Sequence, residues 1–424
     1  MRITIVGGGY VGLVSAACFA ETGHYVTVVD TDSEKVDMIN SKKAPIYEKG
    51  LLDILTRTVG INLSASTKYD SVSDSDISFI CVGTPPGKDG SANLEYIKSA
   101  ASSIGKEIGK SRGRYHVVAV KSTVPPGTTE NIVRPCVLES SKKTDDEVGF
   151  VMNPEFLREG LAVYDFLNPD RIVIGSKSRK AAEIVEKLYS GIKGEILHTE
   201  TTAAEMIKYT SNAFLATKIS FSNEIGNICK NLDIDVYDVM KGVGMDHRIS
   251  PYFLNAGAGF GGSCFPKDVS ALVALAELKE VSPVILRAVL EVNENQPVRI
   301  VEILEKRAGS LKDKKIAVLG LAFKDNTDDI RDSRSIPVID ALLKKGARVF
   351  AYDPMAEDAM RSVCSDIDYC KNPSDALCDA DGCLVMTEWP EFSELNDEFN
   401  LMKSRIIIEG RRILSIDDKE GICW

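Results

Sequence analysis

The chain has 424 residues, of which 44% are hydrophobic and 27% charged, too many for one ordinary core, so two or three domains are expected. Its formal net charge of −11 argues against nucleic acid as the main partner, while local lysines and backbone amides can still hold a small anion. No apolar run reaches the length of a membrane span, the first strand follows no secretory hydrophobic region, and ten cysteines lie singly with no CxxC pair; a cytoplasmic chain with reduced thiols and no metal site is expected.

Residues 2–6, 25–30, 76–82, 116–121, 150–152 and 171–174 are short β-branched runs alternating with helical stretches, which predicts a doubly wound parallel sheet. The first run enters Gly7-Gly8-Gly9-Tyr10-Val11-Gly12 and then a helix-like stretch. A glycine turn alone can simply join strand to helix. Here Asp30 closes the second strand 18 residues past Gly12, where a carboxylate accepts ribose hydroxyls and repels a 2′-phosphate, so the turn reads as an NAD site rather than an NADP site. Three further turns end predicted strands: Thr84-Pro85-Pro86, Ser122-Thr123-Val124-Pro125-Pro126-Gly127 and Asn153-Pro154-Glu155. In register with the glycine turn, they read as walls of one crevice.

Residues 201–232 have helical spacing, no proline and Gly226 as their sole glycine, which predicts a long helix serving as a spine. Lys208 and Asn212, four apart, share a face that continues through Leu215 and Ile219. A helical lysine is ordinarily a solvated charge; on a protein-facing stripe, beside an amide donor, it would stabilise an oxyanion. Spacing leaves both readings open. More helix is predicted to about residue 306, broken by Gly259-Phe260-Gly261-Gly262-Ser263-Cys264-Phe265-Pro266-Lys267-Asp268. The glycines permit positive φ, and Pro266 suits a first helical turn. The Cys264 thiol then falls at a helix N-terminus near Lys267, both favouring thiolate, with the Asp268 carboxylate placed to handle protons.

Composition shifts at 312–315, and strands are predicted at 316–319, 348–352, 382–386 and 405–408. The expected fold is α/β: two Rossmann-like doubly wound parallel-sheet domains, 1–200 and 307–424, joined by a long central helix and helical middle region, 201–306.

Four motifs in order resemble the UDP-glucose/GDP-mannose dehydrogenase family over essentially the whole chain. They are the glycine turn, Asn153-Pro154-Glu155-Phe156-Leu157-Arg158-Glu159-Gly160, the run from Gly261 to Asp268, and Gly320-Leu321-Ala322-Phe323-Lys324. Gly8 stands where alanine or threonine is common, a departure expected to matter little. Phe253-Leu254-Asn255-Ala256-Gly257 looks like the UDP-glucose branch.

The resemblance implies oxidation of a primary alcohol of UDP-glucose to a carboxylate in two hydride transfers, using two NAD⁺. Asp268 would handle the first proton with help from Lys208, and Cys264 would attack the aldehyde. Lys208 and Asn212 would face the oxyanion; Asp268 or Glu155 would assist hydrolysis of a thioester, with Thr123 in the same catalytic set. NAD would be held by Gly7, Gly9, Tyr10, Val11, Gly12 and Asp30, by Lys35 at the adenosine end, and by Thr84, Thr123, Glu159, Lys267 and Arg331. The nucleotide sugar would meet Glu155, Phe156, Leu157, Arg158, Glu159, Lys208, Asn212, the segment from Phe253 to Gly257, Gly261 and Lys324. Arg248 would reach substrate across a subunit interface of a homodimer. The competing readings are a sibling substrate (GDP-mannose or a UDP-N-acetylhexosamine), a two-electron β-hydroxyacid dehydrogenase that needs no cysteine, and a non-catalytic nucleotide-sensing module.

Overall fold

A computed structural model describes residues 1–111 and 113–424 and divides them into two units, Met1–Ser211 and Asn212–Trp424. In the first unit the strands are β1 (Arg2–Val6), β2 (Tyr25–Val29), β3 (Leu63–Ser66), β4 (Ile77–Ile80), β5 (His116–Val120), β6 (Val148–Met152), β7 (Arg171–Gly175) and β8 (Glu195–Thr199). They form one sheet in the order β3-β2-β1-β4-β5-β6-β7-β8. Every residue of β4, β5 and β6 is buried, which is why these strands read as continuous apolar runs without alternation.

The sheet is parallel as expected except at one seam, where β6 and β7 meet antiparallel at Met152 and Gly175. The only helix between them, Ala162–Leu167, has six residues. It rises about 9 Å, short of the roughly 16 Å of a five-residue strand, so the chain is not carried back to the other end of the sheet. Two strands of this sheet carry no sequence signal. β3 is Leu-Ser-Ala-Ser, with little β-propensity, and β8 is a largely exposed edge without alternation.

His116 opens β5 and is buried; its Nδ1 donates to the Ser75 carbonyl at 3.0 Å, and the Ser78 hydroxyl donates to Nε2 at 2.9 Å. Burial pushes its pKa down from 6.5 to about 4. Above pH 6.5 the ring is neutral in both states and its contribution is complete; as pH falls toward 4 the unfolded chain takes a proton that the folded chain refuses. Stability worth about 3 kcal/mol is therefore lost on acidification. Urea melts should show the gap between the wild type and His116→Gln shrinking by about that much from neutral pH to about pH 4.

The long helix, Thr201–Lys230, begins in the first unit and continues into the second, where Val236–Gly244, Phe265–Leu278 and Val284–Ala308 are the other long helical segments before the second sheet. That sheet comprises β9 (Lys315–Leu319), β10 (Arg348–Tyr352), β11 (Asp368–Tyr369), β12 (Gly382–Val385), β13 (Ile407–Glu409) and β14 (Glu420–Gly421), in the order β11-β10-β9-β12-β13-β14. All its pairs are parallel. Its core joins Ile316, Val318, Leu384 and Phe392 to Ile300 and Leu304 of helix Val284–Ala308 and Val338 of helix Ser335–Lys344.

Asp353 follows β10 as Asp30 follows β2. Its Oδ2 accepts the N–H groups of Leu321 (2.7 Å) and Ala322 (3.0 Å) and the Trp389 indole (3.0 Å). Its Oδ1 accepts those of Met355 (2.9 Å) and Ala356 (2.8 Å). Among the described residues no helix is long and apolar enough to cross a membrane.

Candidate active site

β1 delivers the chain into the glycine turn. Gly7 has φ +102°, and a Cβ there would lie 2.7 Å from the Cys81 carbonyl oxygen, so glycine is required. Helix Tyr10–Glu21 then starts from Gly9 with no side-chain cap and no acidic residue in its first turn, and a Cβ on Gly9 would meet open space. The uncapped N–H groups and the positive helix end face a cradle that fits a pyrophosphate.

The Asp30 Oδ2 accepts the Gly8 N–H at 2.6 Å and its Oδ1 accepts the Asp32 N–H at 2.9 Å, leaving lone pairs on both oxygens for ribose hydroxyls. A Cβ on Gly8 would sit 3.1 Å from that carboxylate, so this glycine eases the approach of Asp30 to the turn. Lys35 instead pairs on the surface with Asp32 at 3.8 Å.

The segment from Asn153 to Gly160 is fastened at both ends. The Gly160 N–H donates to the Tyr10 hydroxyl (2.7 Å) and to Glu48 (2.8 Å), and Tyr10 itself donates to Glu48. At the other end Lys121, only 3% exposed, donates to Asn153 Oδ1 (3.1 Å) and the Tyr189 hydroxyl (3.2 Å). Asn153 Nδ2 in turn donates to the Val173 carbonyl at 2.8 Å. A lysine closing a strand ordinarily points to water, so nothing in the sequence marks Lys121 as buried.

Between these anchors Glu155 and Lys208 form an ion pair at 3.0 Å with side chains 7% and 5% exposed. Glu155 also accepts the Leu157 N–H at 2.6 Å, and the Lys208 ammonium lies 5.4 Å from the Phe156 ring centre. Lys208 is therefore the buried cation of the two readings that spacing left open. The crevice walls also meet, for the Thr84 hydroxyl donates to the Thr123 carbonyl at 2.9 Å. Just beyond, Glu205 of the long helix accepts the N–H groups of Gly127 (2.5 Å) and Thr129 (2.7 Å) and the Thr129 hydroxyl (2.7 Å). Burial raises the Glu205 pKa above the usual carboxylate value. Arg158 spends its charge on Asp165 at 2.6 Å, and Glu159 is half-buried.

In the second unit Cys264 is the N-cap residue of helix Phe265–Leu278, with Pro266 in the first turn, as the sequence predicts. It is one of two exposed cysteines, the other being Cys378, and all ten are free thiols. The Asp268 N–H donates to the Cys264 carbonyl at 2.9 Å, and the Ser263 hydroxyl lies 3.5 Å from the sulfur. Asp268 is 1% exposed, and both its oxygens are occupied: Asn212 Nδ2 donates to Oδ2 at 2.6 Å and Lys267 pairs with Oδ1. Both oxygens therefore face hydrogen-bond donors one turn after the thiol, within reach of a proton transferred at the loop.

The segments carrying Lys324 and Arg331 lie beside the cysteine loop, where a Cβ on Gly262 would meet the Phe323 ring at 2.7 Å. Arg331 pairs with Asp329 at 2.5 Å, and its own carbonyl accepts the Gly262 N–H at 2.8 Å. Lys324 lies 5.9 Å from the ring of its neighbour Phe323. Arg248 pairs with Asp246 at 2.5 Å on the surface. In the run from Phe253 to Gly257, Phe253 holds φ +65°, Leu254 and Ala256 are buried, and the Ala256 carbonyl accepts the Tyr237 hydroxyl at 2.8 Å.

The UDP-glucose/GDP-mannose dehydrogenase family matches in three parts: its NAD-binding domain over residues 1–193, its central domain over 202–295 and its UDP-binding domain over 317–416. The UDP-glucose 6-dehydrogenase AglM of Haloferax volcanii is 46% identical, across 100% of this chain and 99% of its own length. TuaD of Bacillus subtilis, also a UDP-glucose 6-dehydrogenase, is 43% identical over 99% of this chain and 91% of its own. A solved UDP-glucose dehydrogenase from Pyrobaculum islandicum superposes with a TM-score of 0.95 at 41% identity, covering 100% of this chain and 98% of that one.

Proposed function

The chain belongs to the UDP-glucose/GDP-mannose dehydrogenase family and is an NAD-dependent oxidoreductase, and from that premise we propose that it oxidises UDP-glucose to UDP-glucuronate, reducing two NAD⁺ per substrate through a covalent bond to Cys264. The observation that carries the covalent step is the exposed Cys264 thiol at a helix N-terminus, one turn before a carboxylate that accepts from Asn212 and pairs with Lys267.

NAD⁺, held by the glycine turn and Asp30, would supply the acceptor for each hydride. Asp268, directly or through a water, takes the proton of the C6 hydroxyl as the first hydride leaves that carbon. The Cys264 thiolate then adds to the aldehyde: a C–S bond forms, and the carbonyl π pair moves to oxygen. The Lys208 ammonium and the second hydrogen of Asn212 Nδ2 are the donors assigned to that oxyanion. Loss of the second hydride leaves a thioester. Water, its proton taken by Glu155, or by Asp268 after its first proton has passed to solvent, adds to the acyl carbon; the C–S bond breaks, returning the thiolate and releasing the carboxylate.

Glycine turn, Asp30, Thr84, Thr123, Glu159, Lys267 and Arg331 are assigned to NAD, with Lys35 at the adenosine end. The residues from Phe156 to Glu159, the run from Phe253 to Gly257, Gly261 and Lys324 are assigned to the nucleotide sugar. The division proposed for these tasks is 1–200 for NAD, 201–306 for the thiol and assembly, and 307–424 for the UDP-sugar. A homodimer is proposed with Arg248 serving the neighbouring copy. Support for it comes from Phe214, Phe221 and Ile228, which repeat every seven residues on the long helix and are 63%, 52% and 52% exposed.

A panel of nucleotide sugars with NAD⁺, followed by NADH absorbance, tests the assignment. UDP-glucose should yield two NADH per molecule, while GDP-mannose and UDP-N-acetylhexosamines yield none. Turnover of GDP-mannose with none of UDP-glucose would overturn it.

A further inference from the structure

The backbone leading to Cys264 is pinned nearly residue by residue from within the second unit. The Gly257 N–H donates to Asn223 Oδ1 at 2.7 Å, and its carbonyl accepts Gln296 Nε2 at 2.8 Å. The Ala258 N–H donates to the Gly410 carbonyl at 2.8 Å, and the Gly259 carbonyl accepts Arg411 Nη2 at 2.5 Å. Phe260 is gripped twice by one side chain: its N–H donates to Asn293 Oδ1 at 2.7 Å, and its carbonyl accepts Asn293 Nδ2 at 3.0 Å.

Asn223, Asn293 and Gln296 are 0%, 1% and 0% exposed. Asn293 and Gln296 stand three apart on helix Val284–Ala308, and so share a face.

A segment with φ +101° at Gly259 and +82° at Gly262 cannot satisfy its own N–H and C=O groups as a helix or ladder does. A carboxamide carries donor and acceptor in one rigid plane, so it can pair both groups of a residue as a neighbouring strand would. Leucines would fill the same volume but leave the buried amides of Gly257 and Phe260 unpaired. The clamp on Phe260 lies four residues before the thiol, with Gly261 and Gly262 between. Those two glycines would otherwise give the thiol a hinge.

We propose that Asn293, with Gln296 and Asn223, is the positioning device that fixes Cys264 for nucleophilic attack, acting through the backbone of Gly257 and Phe260. This rests on the reading of Cys264 as the nucleophile.

The test uses full-length protein carrying Cys378→Ser, so that Cys264 is the exposed thiol. Alkylation of Cys264 by iodoacetamide is followed by peptide mass across the neutral pH range, beside kcat and KM for UDP-glucose. Asn293→Ala removes both bonds. Asn293→Asp keeps the acceptor for the Phe260 N–H but sets an oxygen against its carbonyl. In the variants the alkylation midpoint should move to higher pH as the thiol leaves the helix end, with alkylation at neutral pH about tenfold slower and kcat about 100-fold lower. KM should change by less than about threefold.

A folded variant with an unchanged alkylation profile and kcat within about twofold of wild type overturns the proposal. So does failure of both variants to fold, which would make the clamp a device of stability alone. If the parent forms no NADH with any nucleotide sugar while the alkylation shift appears, the proposed function fails and the positioning role stands. If the parent turns over and alkylation does not shift, the positioning role alone fails.

Discussion

Replacing Cys264 with serine should end complete turnover: acid formation falls by at least about 1,000-fold, and the yield drops from two NADH per UDP-glucose to one or fewer. A serine hydroxyl is not ionised near neutral pH, whereas a thiol at a helix N-terminus reaches the thiolate and is the stronger nucleophile. The substitution is also mild for the fold. Cys264 occupies an exposed N-cap position, where serine is among the preferred residues. The melting temperature should therefore hold or rise, so lost activity will not reflect unfolding. Full two-NADH stoichiometry in the serine variant would remove sulfur from the mechanism and favour a two-electron dehydrogenase plan.

The second large effect is at Lys208. Lys208→Met breaks an ion pair in which both side chains are more than nine-tenths buried, stranding the Glu155 carboxylate with the Leu157 N–H. Breaking such a pair costs about 3–5 kcal/mol of stability. Loss of the oxyanion donor should lower kcat by about 100- to 1,000-fold. Stability and catalysis separate in Lys208→Met/Glu155→Gln, which leaves no bare charge and should recover most of the lost stability in urea melts. Its kcat should stay about 100-fold below that of Glu155→Gln alone, which keeps the cation. If the double variant matches Glu155→Gln in activity, Lys208 serves the fold rather than the oxyanion.

The features legible in the sequence are those whose chemistry is local. The glycine turn, Asp30 and the Cys264–Pro266 helix start are each written within a short stretch, because a turn or a cap needs only adjacent residues. The partnerships are not local. Glu155 and Lys208 are 53 residues apart and Asn212 and Asp268 are 56 apart, so spacing could put Lys208 and Asn212 on one helix face without saying what each would meet. Asn293, Gln296 and Lys121 were invisible for a related reason: they are polar types that usually face water, and only the fold reveals them as buried. The strands without a sequence signal, β3, β8, β11 and β14, lie at the ends of their two sheets, where burial on both faces no longer dictates composition.

The Asp353 carboxylate has a kinetic consequence. Five N–H donors already occupy it, and the turn it braces, Gly320-Leu321-Ala322, is followed by a helix only at Ser335. The second sheet therefore lacks the open cradle that Asp30 and the glycine turn provide in the first. If each substrate surrenders two hydrides, both must be delivered at one station, one after the other. Spent NADH has to depart and fresh NAD⁺ has to arrive while the half-oxidised sugar waits. The covalent bond proposed at Cys264 would outlast that exchange; a merely bound aldehyde would be free to diffuse away during it.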